Sequence, residues 1–224
     1  MVATSVKTDG AWEDCRLNHT KCRASTVQRT VRYDQDLLTS HRSISMALRA
    51  TIYKVELHVA DNDRAYYDTH NLTVARHPSE TDERMMVRLL AYALFAQADK
   101  TLEFTRGLSE ADEPDLWTKD LTGAIGQWIE VGLPDERRLL KACGRSENVK
   151  ILAYGRNAPL WWRGVENALQ RAQNLDVYIL NSEGSAALAS LVNRKMSLNI
   201  NIQDSSAWVS NESDVATIQI DKLR

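Results

Sequence analysis

Apolar and polar residues alternate from Thr51 onward in a pattern typical of a β-strand. The apolar residues at every second position are Tyr53, Val55, Leu57 and Val59. This period of two predicts a strand with one buried face. The turn-forming sequence Asp-Asn-Asp at positions 61–63 follows, and a second strand from about Tyr66 to Ala75 would complete a hairpin.

After Pro78 the period changes to that of a helix. The predicted apolar stripe consists of Met86, Leu89, Leu90, Ala93 and Leu94. Residues three and four apart lie on the same helical face, so this stripe would pack against the sheet. Ser79 and Asp82 fit a capping box, which predicts that the helix begins at Ser79.

The rest of the chain alternates between strand and helix patterns. Short strands are predicted from Asp115 to about Trp117 and from Gln127 to Val131, with Thr122-Gly123 as the turn between them. LPDERRLLKACG and APLWWRGVENALQRAQ read as helices, and NVKILAYG and LDVYIL as strands. The final MSLNINIQDSSAWVSNESDVATIQI predicts an antiparallel meander. The order predicts one mixed α/β domain with a central sheet and helices on its faces.

Composition excludes two classes of protein. No apolar run reaches the about 18 residues that a membrane-spanning helix needs. A net charge of −2 does not fit a protein that is basic throughout and wraps nucleic acid, so any nucleic-acid contact would come from a local patch. The N-terminal stretch lacks the apolar core of a secretory signal, which favours a cytoplasmic protein.

Residues 1–45 differ from the rest of the chain because they mix Ser, Thr, Arg and Asp without a sustained period. They are predicted to be a disordered extension. Since Met46 directly precedes the first strand pattern, an alternative is that translation starts there and the extension is not native. The domain is predicted to span residues 46–224.

Two acids mark a candidate site. Asp115 follows Pro114 at the start of one predicted strand, and Glu130 lies near the end of the next. Neighbouring strands are about 4.8 Å apart, so the two carboxylates can converge. Converging carboxylates repel each other, which raises one pKa unless a cation lies between them. Mg²⁺, or Mn²⁺, would fill that role and could activate water for phosphodiester cleavage.

The long helix offers a third acid. Glu83 is in register with the apolar stripe, and Glu80 lies one turn earlier. An inward acid needs a partner because an unpaired buried charge is costly. That partner is either an arginine such as Arg84 or Arg88, a backbone cap, or the same metal ion.

Three long segments resemble the YaeQ family of bacterial proteins: ARHPSETDERMMVRLLAYA, FTRGLSEADEPDLW and WIEVGLPDERRLLKACGR. The acidic helix, the Pro-Asp pair and the following Glu also resemble the PD-(D/E)XK nuclease-like fold. The similarity runs from about Met46 to the C-terminus, and residues 1–45 depart from it. It implies a single compact domain with a nuclease-like core, in which Asp115 and Glu130 are the paired acids. Glu83 or Glu80 would be the helix acid.

The nuclease pattern places a lysine two residues after the glutamate, but this chain has Gly132 there. The helix that follows offers Arg138, Lys141 and Arg145 on one face. Lys141 is the predicted replacement for the lysine, with Arg138 as the alternative. Arg138 and Arg145 are the predicted phosphate contacts. The same stripe could equally be a solvated surface paired with nearby acids.

The sequence therefore supports three hypotheses. The first is a Mg²⁺- or Mn²⁺-dependent nuclease in which Asp115, Glu130 and Glu83 hold metal and Lys141 assists catalysis. The second is a non-catalytic nucleic-acid-binding or transcription-related regulatory protein that retains the fold. The third is that the acids pair with arginines and serve the fold only. Neither an oligomeric state nor a choice between DNA and RNA follows from these patterns.

Overall fold

A computed structural model describes residues 49–98, 101–110 and 112–224. The predicted extension, residues 1–45, lies outside this range. The strands are β1 (Thr51–Asp61), β2 (Tyr66–Arg76), β3 (Leu102–Phe104), β4 (Leu116–Lys119), β5 (Ile125–Val131), β6 (Ser146–Ala153), β7 (Leu175–Leu180), β8 (Lys195–Gln203), β9 (Ser206–Ser210) and β10 (Val215–Lys222). The helices are α1 (Asp82–Phe95), α2 (Glu136–Cys143), α3 (Ala158–Leu169) and α4 (Ser182–Leu188), with single 3₁₀ turns at Gly107–Ser109 and Ala189–Leu191.

All these strands join one mixed sheet, in the order β2-β1-β8-β9-β10-β7-β6-β5-β4-β3. The predicted mixed α/β architecture is confirmed. The hairpin β1–β2 and the meander β8–β9–β10 are antiparallel, as predicted. The strands β5, β6 and β7 are parallel, and β8 pairs in parallel with β1. The meander therefore lies inside the sheet and joins the N-terminal hairpin to the parallel strands.

Helix α1 lies along the concave face of the sheet. Its buried residues extend around more of the helix than the predicted stripe covers. Met85, Val87 and Ala91 are fully buried along with Met86, Leu89, Leu90 and Ala93 of the stripe, whereas Leu94 is only partly buried. The ring of Tyr92 contacts His70 on edge strand β2, with 5.1 Å between ring centroids. The same ring contacts Phe104 on the opposite edge strand β3 at 5.5 Å. Since both edges of the sheet meet one residue of α1, the sheet curves almost completely around this helix.

The start of α1 differs from the prediction. Thr81, not Ser79, is the N-cap, and its hydroxyl accepts the N–H of Arg84 at 3.1 Å. Ser79 instead contacts His77 Nδ1 through its hydroxyl at 2.6 Å, and the N–H of Glu80 bonds back to His77. A tight turn around Pro78 therefore uses Ser79 before the helix begins.

A second apolar layer lies on the other face of β5, β6 and β7, where α2 and α3 pack. The continuous apolar run predicted for β6 is buried on both faces, because Leu152 points toward α1 while Ile151 points toward α2 and α3. Helix α2 begins after Asp135 and ends at Gly144, as the capping residues predicted. In the described part of the chain, no helix has both the length and the apolar character needed to cross a membrane.

Candidate functional site

Asp115 and Glu130 lie opposite each other at one end of the sheet. Asp115 immediately precedes β4, and Glu130 is the second-last residue of β5. The antiparallel pairing of Leu116 with Ile129 sets this register, and the N–H of Asp115 donates to the Ile129 carbonyl at 3.0 Å. Both acids line a cleft of about 520 Å³. The structure thus brings together the two acids that the strand pattern placed side by side.

Asp115 is held by an arginine and by the backbone. Arg84 Nη2 donates to both carboxylate oxygens, at 2.7 and 2.9 Å. The N–H of Val131 donates to Oδ2 at 2.8 Å, and the residue is only 1% exposed. Burial lowers the pKa of Arg84, but the charges of Asp115 and Glu80 outweigh it and raise the pKa. Arg84 therefore stays charged beside Asp115.

Glu80 completes the buried network from the turn before α1. Its carboxylate accepts Arg84 Nη1 at 2.8 Å and Arg88 Nη1 at 3.0 and 3.1 Å. Glu80 is 4% exposed and Arg88 is 3% exposed. Two acids and two arginines balance in charge and bond to one another, which offsets part of the cost of burying them. Of the two candidates for the helix acid, Glu80 is therefore the one that faces inward toward Asp115.

Glu83 lies elsewhere. Its Oε1 accepts the hydroxyl of Ser185 on α4 at 2.7 Å. Glu83 is not among the residues that line the cleft. The second position of α1 faces α4 rather than the sheet edge, so the structure does not bring Glu83 together with Asp115 and Glu130.

Glu130 has one occupied oxygen and one open oxygen. Oε1 accepts Trp128 Nε1 at 2.8 Å and Arg138 Nε at 2.9 Å, and Arg138 Nη2 lies 2.8 Å away from it. No residue in the described ranges donates to Oε2. Burial raises the pKa of Glu130 to about 7, and the charge of Asp115 adds to this, against the opposing effects of Arg138 and Trp128. The repulsion expected of two converging carboxylates therefore contributes to the raised pKa, but less than burial does.

The position of the absent lysine faces a tyrosine. Gly132 has φ of +112°, and a Cβ built on it would lie 4.0 Å from Cε1 of Tyr154. Tyr154 lines the cleft, and its hydroxyl has no hydrogen-bond partner within the described residues. Burial raises the pKa of Tyr154, so the phenol stays a neutral donor.

The predicted replacement, Lys141, does not reach the acids. Its side chain is 53% exposed and pairs with Asp112 at the surface. Arg138, the alternative, does line the cleft and binds Glu130. Arg145 donates to the Asp112 carbonyl at 3.3 Å, and its guanidinium carbon lies 5.3 Å from the centre of the Trp128 ring. Arg138 occurs one turn earlier on α2 than Lys141, which brings it closer to the sheet end where Glu130 lies.

Two residues of the site were not singled out from the sequence: Trp128, which donates to Glu130, and Tyr154, which lines the cleft. Trp128 could have been found, because it is two positions before Glu130 and so points to the same face of β5. Tyr154 could not, because it reaches the cleft only through the pairing of β6 with β5.

The arrangement does not fit a metal centre as it stands. Within residues 49–98, 101–110 and 112–224, no group of three or more His, Cys, Asp or Glu is arranged to hold a metal ion. Three N–H contacts, two from Arg84 and one from Val131, already use most of the lone pairs that Asp115 could offer to Mg²⁺. The cleft instead offers the open Oε2 of Glu130 and the phenol of Tyr154. Its two acids, Asp115 and Glu130, are each paired with an arginine.

Comparison with known proteins agrees with the resemblance of the sequence motifs. The family model described as YaeQ protein matches residues 46–220. The protein YaeQ of Salmonella typhi is 46% identical over 176 residues, which cover 78% of this chain and 96% of that protein. YaeQ of Escherichia coli (strain K12) is 45% identical over 170 residues, or 75% of this chain and 93% of its own.

Solved structures lead to the same family. The crystal structure of YaeQ from Xanthomonas axonopodis pv. citri superposes with a TM-score of 0.75 at 46% identity, covering 78% of this chain and 98% of that one. YaeQ from Pseudomonas syringae superposes with a TM-score of 0.73 at 38% identity, covering 78% and 96%. With a matching family model, close relatives and shared architecture, this chain belongs to the YaeQ family.

Proposed function

We propose that this YaeQ-family protein is a non-catalytic nucleic-acid-binding protein that retains a PD-(D/E)XK nuclease-like core. The observation that carries the proposal is the state of Asp115. Arg84 and the Val131 N–H occupy both of its oxygens in a place that is 1% exposed. Arginine charge therefore balances the acid where a nuclease would use a metal ion, and breaking such a buried pair costs several kcal/mol.

The cleft has the chemistry to take a single nucleobase. Its volume of about 520 Å³ lies within the range of small-molecule sites. The open Oε2 of Glu130 can accept an exocyclic amino group, as carboxylates do from cytosine. The ring of Tyr154 offers a stacking surface, and the exposed side chains of Leu108 and Leu133 provide apolar contact at the rim. These features favour single-stranded over double-stranded nucleic acid.

Binding is tested by fluorescence anisotropy with labelled single-stranded DNA and RNA, with the matching duplexes as comparison. We expect Tyr154→Ala to weaken single-strand binding about 5- to 150-fold, since stacking on an aromatic residue contributes about 1–3 kcal/mol per base. Lys141→Gln, which alters only the surface pair with Asp112, is the matched control and should bind as wild type does. Equal affinity of wild type and Tyr154→Ala would count against the cleft as the binding site.

Metal-dependent cleavage by Asp115, Glu130 and Glu83 is the competing proposal. The observation in its favour is that Asp115 and Glu130 are neighbours across β4 and β5 and face one cleft. It requires Arg84 to leave Asp115 and Lys141 to leave Asp112. The geometry therefore favours binding over cleavage.

The two proposals predict different responses to Mg²⁺ and Mn²⁺. On our proposal neither ion raises the melting temperature, because no site in the folded state binds it. We also expect wild type to leave single- and double-stranded DNA and RNA intact with either ion present. Cleavage that needs the ion and disappears in Asp115→Asn would establish the nuclease instead. Cleavage that persists unchanged in Asp115→Asn would indicate a contaminating enzyme.

A further inference from the structure

A second cavity lies at the other end of α1, about 16 Å along the helix from Arg84, which contacts Asp115. Its volume is about 300 Å³. The apolar side chains that line it are Leu94, Phe95, Tyr178, Ile202 and Ile220. Arg64, Lys150 and Lys222 also line it, so an apolar surface lies beside several cationic groups.

Lys150 is the unusual group in this cavity. It lies on the inner face of β6, and its side chain is 21% exposed. Its Nζ lies 3.8 Å from Asp176 Oδ2 and 4.8 Å from the centre of the Phe95 ring. No acceptor in the described part of the chain lies within hydrogen-bonding distance of this ammonium group. A partly buried ammonium without acceptors is costly, and burial lowers the pKa of Lys150 accordingly.

The acids around the cavity already bind other groups than Lys150 at hydrogen-bonding distance. Asp176 Oδ1 lies 2.8 Å from Lys222 Nζ, so one carboxylate is shared between two lysines. Asp61 binds Arg64 Nε at 2.6 Å. Asp63 accepts the N–H of Asp204 at 3.0 Å in the turn between β8 and β9. The lining itself has two acids, Asp61 and Asp63, against three cations, so it carries a net charge of +1 and offers Lys150 no acceptor.

We propose that this cavity binds a small organic carboxylate. The carboxylate would accept a hydrogen bond from Lys150, and its apolar body would lie against Phe95, Ile202 and Ile220. The size fits, because about 300 Å³ is the lower end of the range for ligand pockets. One carboxylate matches the net charge of +1 on the lining, whereas a phosphate ester would bring about two negative charges. This site is separate from the acid–arginine cleft and does not depend on the function proposed for it.

The test uses three probes that share a benzene ring and differ in charge: benzoate, phenyl phosphate and benzylamine. Each is titrated into the ¹⁵N-labelled full chain and followed through backbone amide shifts. We expect benzoate to bind most tightly and to shift amides near Phe95, Lys150 and Tyr178. Lys150→Met keeps the length of the side chain and removes the ammonium, and we expect at least tenfold weaker benzoate binding. Lys195→Met changes an exposed lysine of β8 and should bind as wild type does.

Three results would overturn the proposal. Benzylamine binding as tightly as benzoate would show that Lys150 does not select the charge. An unchanged dissociation constant in Lys150→Met would show that its ammonium group makes no contact. Benzoate shifts in the wild type that cluster away from this cavity would place the ligand elsewhere, and this result does not depend on whether Lys150→Met folds.

Discussion

Asp115 is the residue on which the buried charge network depends. Replacing it with Asn leaves Arg84 and Arg88 with one carboxylate, Glu80, in a largely buried site. Removing one partner of a buried ion pair costs about 3–5 kcal/mol, and we expect that loss in the free energy of unfolding measured with urea. Asp112→Asn is the control because its pair with Lys141 is exposed, and it should leave the midpoint unchanged. Equal midpoints for the two variants would mean that the network does not stabilise the fold.

Glu130 should make stability depend on pH. Its pKa is raised from 4.5 to about 7, so between these values the folded protein holds a proton that the unfolded chain has released. The stabilising contribution is complete below about pH 4.5 and is lost as the pH rises through 7. The shift corresponds to about 3 kcal/mol.

Urea unfolding at about pH 5 and about pH 8 measures this effect when wild type and Glu130→Gln are compared. Gln cannot ionise, so the variant should lose less stability than wild type over this interval. Parallel pH dependence in the two proteins would contradict a raised pKa at Glu130.

Sequence reasoning predicted the positions of the two acids but not their partners. Each acid has a local sequence signal: Asp115 follows Pro114 at the start of a strand, and Glu130 precedes Gly132 near the end of the next strand. Because the two strands are adjacent in the sheet, the acids lie together. Whether Asp115 faces a metal ion or Arg84 depends on how α1 lies across the sheet end, and no local pattern encodes that. Lys141 and Arg138 share one helical face, so only the orientation of α2 decides that Arg138 meets Glu130.

Helix α4 approaches the sheet closely at a glycine. A Cβ on Gly184 would lie 2.6 Å from the Thr217 carbonyl oxygen and 3.0 Å from Ile218 Cα, both backbone atoms of β10. We expect Gly184→Ala to push α4 off the sheet and to lower stability by about 1–3 kcal/mol.

Gly164 in α3 provides the matched comparison, because a Cβ there meets nothing within 4 Å. Gly164→Ala should stabilise the protein by about 0.5–1 kcal/mol through helix propensity alone. Thermal melts of the two variants should therefore shift in opposite directions. If Gly184→Ala melts at or above the wild-type temperature, α4 has room to move away from β10.

Local patterns predicted most elements but not all of them. Helix α1, the hairpin and β6 were predictable because each has a long period or a long apolar run. Helix α4 was not, since SEGSAAL is only 7 residues long and has no apolar stripe. The Ser79 signal was misleading because a capping residue works only where the backbone enters the helix, and the turn at Pro78 delays that entry to Thr81.

At the scale of the whole molecule, the pairing of β1 with β8 joins the two ends of the domain and has the largest expected effect on folding. Lys54 of β1 pairs with Lys195 of β8, which lies 141 residues later in the chain. No sequence pattern predicts this pairing. A strand that alternates apolar and polar residues fits next to many other strands, and in several registers. Closing so long a loop has an entropic cost and makes folding slow.

We expect β1 and β8 to become protected from hydrogen exchange in the same kinetic phase. Pulse-labelled amides of β5, β6 and β7, whose parallel pairings span shorter loops, should be protected no later than those of β1. Protection of β1 and β2 well before β8 would show that the hairpin forms stably without the meander.

The curvature of the sheet around α1 also has a consequence during synthesis on the ribosome. Helix α1 ends at Phe95, whereas β10, the last strand of its apolar enclosure, ends at Lys222. At about 5–20 residues per second, translation of that interval takes on the order of ten seconds. Throughout that time the nascent chain presents a helix that is apolar on nearly every side and has no finished sheet to cover it. Molecular chaperones that hold exposed apolar segments are therefore expected to engage this protein before its last strand emerges.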